Sequence, residues 1–139
     1  MIRNRAILAS VFAAILLTST AEDKPPVGTW RGASKCATDA VSCHDEDVVY
    51  YISVVPHRSD QLSIRADKIV NGIAVTMGTG TWAYDPTKQT LSLDSNGRLW
   101  LLTIRGNHID GTLKVNGTTI FRQMVLTLDP TAGPAGGIR

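Results

Sequence analysis

Three observations predict an all-β fold, specifically a small antiparallel up-and-down β-barrel of eight or nine strands. Turn residues recur at hairpin spacing: VNGI at 70–73, YDPTKQ at 84–89, DSNGR at 94–98, RGN at 105–107 and VNGT at 115–118. Asn-Gly between alternating segments marks a hairpin because both central residues of a type I′ turn need positive φ. The stretches between the turns are rich in β-branched and aromatic residues, among them VVYYISVV, LSIRADKIV and RLWLLTI. No amphipathic pattern of helical length interrupts them. Consecutive hairpins without a long crossover make a meander, and closing the meander removes the edges that an open sheet would expose.

At the N-terminus, residues 1–21 read as a secretory leader: MIRNR is a basic start, AILASVFAAILL an apolar core, and STA supplies small residues before EDK. The apolar run is short for a bilayer span, which takes about 20 residues. A single domain is therefore expected at 22–130 of an exported protein, periplasmic or extracellular, with no stable membrane insertion after leader removal. Without Arg3 and Arg5 the chain carries 12 basic and 12 acidic residues. A balanced chain with no Lys/Arg cluster lacks the basic face that nucleic acid requires.

The first strand opens at VGTWRG, and Trp30 is expected to be buried at one end of the barrel. Cys36 and Cys43 follow in CATDAVSC, an even pair at loop spacing that reads as a disulfide in an exported chain. A redox-active pair normally has two intervening residues rather than six. The stretch GIAVTMGTGTWAYD is either two strands or one strand bent at Gly78 and Gly80, which leaves the count at eight or nine. TLSL, RLWLLTI, HIDGTLKV and TIFRQMVLTL complete the meander. In the last of these, Arg122 shares a face with Ile120, Met124, Leu126 and Leu128, so a charge falls on the apolar side and needs a partner there. The Gly/Pro/Ala-rich residues 131–139 are expected to form a mobile tail.

Gly28, Thr29 and Trp30 at the start of the first strand, the meander, and an arginine in the last strand together resemble the lipocalin-like, or calycin, superfamily. The resemblance is nearest to small exported lipocalin-like proteins of bacteria. The chain departs from ordinary lipocalins in being shorter, in carrying its disulfide in the first loop, and in lacking a C-terminal helix pattern. The resemblance implies that Trp30 closes the barrel floor with the Arg122 guanidinium packed on its ring. It also implies that the barrel holds a small apolar molecule.

The more apolar parity of each strand places Tyr50, Ile52, Ile64, Val75, Trp82, Trp100, Leu102 and Leu113 inside. Eight strands enclose a space that side chains can just fill or that admits one small ligand. Two readings follow: a ligand site around Tyr50, Trp82 and Trp100, or a filled, non-catalytic interaction module that uses its loops. An unrecognised hydrolase is the third, less favoured reading. There is no Gly-x-Ser-x-Gly elbow and no spare cysteine, so Asp67, Asp85, Asp94 and Asp110 would have to meet in space. His44, Asp45, Glu46 and Asp47 are expected to form a solvated acidic rim, because the spacing and glycine of a calcium loop are absent. His57 and His108 stand alone near turns, and neither metal nor cofactor is expected. Asn116-Gly117-Thr118 satisfies a glycosylation sequon, but its Asn-Gly is already explained by the hairpin.

Overall fold

A computed structural model describes residues 13–15 and 24–132. The expected leader and tail fall almost entirely outside these residues. The described chain forms eight strands: β1 (Gly28–Cys36), β2 (Glu46–Val55), β3 (Arg58–Val70), β4 (Ile73–Asp85), β5 (Thr90–Ser95), β6 (Arg98–Arg105), β7 (His108–Val115) and β8 (Thr119–Leu128). Each strand pairs antiparallel with the next, and β8 returns to β1 to close the barrel.

Turn chemistry explains the connections. Asn71-Gly72, Asn96-Gly97 and Asn116-Gly117 each hold both central residues at positive φ, as a type I′ turn demands. A further reversal at Pro56-His57 escaped the turn signals. Its second residue, His57, takes φ 62°, the left-handed position that usually goes to glycine or asparagine. The stretch from Ile73 to Asp85 is one strand, so the count is eight. It is irregular where Ala66 faces Gly78 and Asp67 faces Thr76, which leaves Met77 as an extra, bulged residue beside the glycine.

The two ends of the barrel differ. The closed end holds the start of β1, the Pro56-His57 reversal and the turn at Gly106. Toward it, Ile52, Leu91, Leu102, Ile109 and Leu126 are fully buried. Trp30 is 2% exposed, and its indole Nε1 donates to the Pro26 carbonyl at 2.9 Å. Gly28 enters β1 at φ 145°, where a Cβ would come within 3.0 Å of Leu128, so glycine lets the chain turn in beneath the barrel. The open end carries the Cys36–Cys43 disulfide, which the structure forms, and the three Asn-Gly turns. Among the described residues no helix is long and apolar enough to cross a membrane.

Strand lengths are unequal, and this shapes the wall. β3 and β4 each run thirteen residues, whereas β5 has six. β4 meets β5 only at Ala83, Tyr84 and Asp85. Among the described residues the β5-facing edge of β4 has no ladder partner from Ile73 to Trp82, and the end of the β3–β4 hairpin overhangs the open end.

Candidate functional site

A cavity of about 220 Å³ lies where β4 and β5 part. Tyr50, Ile64 and Ala66 line one side, Leu93 and Trp100 the other, and Trp82 with the Met77–Gly80 stretch forms the lip. Alternation sends Gly78, Gly80 and Trp82 to one face of β4, so two consecutive inward positions carry no side chain. A Cβ on Gly78 would meet nothing within 4 Å, and one on Gly80 would approach only Trp82 and Leu93, at 3.9 and 4.0 Å. The glycines expected as a bend also leave the space unfilled. Trp82 and Trp100 face each other with ring centroids 6.3 Å apart and planes at 55°, a tilted arrangement that leaves ring surface available to the cavity.

The structure therefore brings Tyr50, Trp82 and Trp100 around one cavity. Of the wider interior set, Ile52, Ile64, Leu102 and Leu113 are buried as expected, but Val75 is 43% exposed. Its face is inward, because it stands opposite Lys68, which alternates with the cavity residues Ala66 and Ile64. β4 overhangs there, and among the described residues no strand packs across it.

Above Tyr50, the inward positions of the open end become polar. Glu46 alternates with Val48 and Tyr50 and points into the mouth. Its carboxylate lies 3.7 Å from Arg122 Nη1 and 4.0 Å from Lys68 Nζ. Arg122 also donates to the Ser34 hydroxyl at 3.3 Å and to the Ser34 carbonyl at 3.4 Å. The Tyr50 hydroxyl donates to Met124 Sδ at 3.3 Å. Burial, reinforced by the Glu46 carboxylate and opposed by Arg122, holds the Tyr50 phenol well above its ordinary pKa, so it stays neutral.

Two expectations are corrected by this arrangement. Arg122 does not stack on Trp30. Trp30 pairs with Leu128 and Arg122 with Cys36, six residues further along β1, about 20 Å at the rise of a strand. Arg122 thus meets Ser34 and Glu46 at the open end while Trp30 closes the other. A close guanidinium–ring contact lies elsewhere, with Arg65 4.1 Å from the centre of the Tyr51 ring. In the acidic run His44, Asp45 and Asp47 are exposed as expected of a solvated rim, and Glu46 alone departs from it. Asp45 accepts from the Cys36 backbone N–H at 2.8 Å, Glu46 turns inward, and Asp47 is exposed. The signal for Glu46 was present in its shared parity with Val48, Tyr50 and Ile52, but the cluster of charges around it hid that signal.

The carboxylates weighed for hydrolysis take up separate, local roles. Asp85 accepts from the N–H groups of Thr87 and Lys88, both at 3.0 Å, and Asp110 faces His108 at 3.1 Å. Asp67 is buried at the β4 bulge, with Arg65 3.5 Å away. Among the described residues no two of them form a pair. Compared with models of known protein families and with curated proteins, the chain matches none.

Proposed function

We propose that this chain is an exported lipocalin-like binding module whose barrel takes a compact apolar ligand carrying one or two aromatic rings. The observation that carries the reading is the cavity beside Tyr50, Trp82 and Trp100, roomy because Gly78 and Gly80 replace inward side chains. A dry apolar cavity of about 150 Å³ suffices for benzene. A space of about 220 Å³ suits a slightly larger ring system and is too small for a long-chain fatty acid. The tryptophans supply ring faces, and the polar quartet above Tyr50 marks where the apolar part of a ligand ends. Export is supported by the leader-like segment and by the disulfide, a bond typical of oxidising compartments.

The test is displacement of an environment-sensitive anilinonaphthalene dye, followed alongside tryptophan emission. Naphthalene- and phenol-type compounds are expected to compete, and palmitate is not. Gly80→Leu places a side chain in the cavity without demanding an unusual backbone. It should abolish dye binding and leave the unfolding free energy from urea denaturation within about 1 kcal/mol of the parent, since it fills space rather than crowding a packed core. A dye that never binds, or that binds Gly80→Leu as well as the parent, would sink the reading.

A further inference from the structure

We propose that the free edge of β4 is a pairing edge for a second copy of this chain, the two β4 strands running antiparallel about a twofold axis. This goes beyond the ligand reading and does not depend on it. Among the described residues the β5-facing side of β4 from Ile73 to Trp82 has no ladder partner, so its N–H and C=O groups on that side form a template on which another extended strand can pair. Exposed edges are usually protected by charges, proline or a bulge, and on β4 the bulge at Met77 confines regular pairing to the residues on either side of it. The fourteen residues from Asn71 to Tyr84 contain neither charge nor proline, in a chain that is 19% charged.

The absence of charge bears on the identity of the occupant. An edge without charge offers no complement to a charged peptide, and it buries no unpaired charge against a strand that is equally uncharged. β4 itself is such a strand. Twofold pairing also suits its two faces. On the outer face, Thr76, Thr79 and Thr81 stand opposite Asp67, Arg65 and Ser63 of β3, so β4 would present threonines across the new ladder, where Thr–Thr pairs are favourable. On the inner face, Val70, Ile73 and Val75 are all exposed, with Ile73 at 68%. A paired copy would extend the wall on which these residues lie, beside the opening of the cavity. An isologous contact of this kind closes on itself and does not propagate into a fibre.

The experiment is sedimentation equilibrium of the purified chain from the low to the high micromolar range, with amide hydrogen exchange read across β4. The expected result is a mass that rises toward twice the monomer with concentration, with protection of the amides between Ile73 and Trp82 appearing in parallel. Val75→Lys places a charge beside the edge at an already exposed position and should leave a monomer. Val125→Lys, at an exposed apolar position on β8, should leave the dimer intact. A parent chain that stays monomeric throughout, a dimer whose β4 amides remain unprotected, or equal disruption by the two lysines would overturn the proposal. Protection of β4 gained only on adding an unrelated extended peptide would overturn it as well, in favour of a foreign strand.

Discussion

The closed and open ends of this barrel are built from the same eight strands by opposite rules. At the closed end Ile52, Leu91, Leu102, Ile109 and Leu126 fill the interior, even the inward Gly111 is covered by Leu102 and Met124, Trp30 is capped by the Pro26 carbonyl, and Ile104 and Leu128 donate backbone N–H groups to Gln89 and Asn107. Toward the open end the wall separates, two inward positions are glycine, and the innermost charges gather as Glu46, Arg122 and Lys68. Packing that fills the barrel interior serves stability, whereas interior packing that stops short leaves a place for something else. The two requirements are met in one small domain by keeping them at different levels of the barrel.

The sharpest way to break that division is to attack the closed end. Trp30→Ala is expected to cost about 3–5 kcal/mol, the loss typical of a buried tryptophan. In a domain of this size that threatens folding itself, and chemical denaturation of the variant would show it. An alanine variant whose stability hardly moves would mean that the closed end is not where the fold is held.

At the open end the largest structural effect should come from the disulfide. Replacing Cys36 and Cys43 by serine frees a short loop, and the chain-entropy estimate gives a loss of about 2–3 kcal/mol. The loss should appear in the denaturation midpoint while ligand binding persists, because neither cysteine lines the cavity. Binding lost along with the disulfide would instead tie the loop to the cavity.

A smaller effect is expected inside the mouth. Glu46→Gln leaves Arg122 and Lys68 facing one another without their shared carboxylate, at a cost of about 1 kcal/mol for a partly solvated pair. The cost should shrink as salt is added. A cycle of Glu46→Gln with Arg122→Met measures the coupling, and additive effects would show that the two side chains act independently.

The smallest effect concerns pH. The Tyr50 phenol is held neutral in the folded barrel chiefly by burial, while in the unfolded chain it ionises near about 10. A pKa raised on folding contributes stability that is complete below the unfolded value and is lost as the pH climbs past it. Urea midpoints should therefore fall from about pH 9 to about pH 11, and Tyr50→Phe should reduce that slope. An unchanged slope would place the Tyr50 hydroxyl in contact with water.

Local chemistry determined what the sequence alone made legible. Asn-Gly pairs specify their own turns, alternation specifies which face of a strand is apolar, and cysteines seven residues apart in a loop can reach each other. The meander, the disulfide and the shared inward face of Tyr50, Trp82 and Trp100 follow from these properties, while the burial of Trp30 was expected from the resemblance carried by Gly28, Thr29 and Trp30. What depends on the relation between distant strands was decided only by the tertiary structure. Parity placed Arg122 inside but could not say at which end, because the stagger between β8 and β1 sets its neighbour, and that neighbour is Ser34 rather than Trp30. Parity also placed Val75 inside, yet the short β5 leaves it uncovered, and the glycines of β4 become a cavity only where β5 departs from them. Strand register and relative strand length are properties of pairs of segments far apart in the chain, and no short window of sequence contains them.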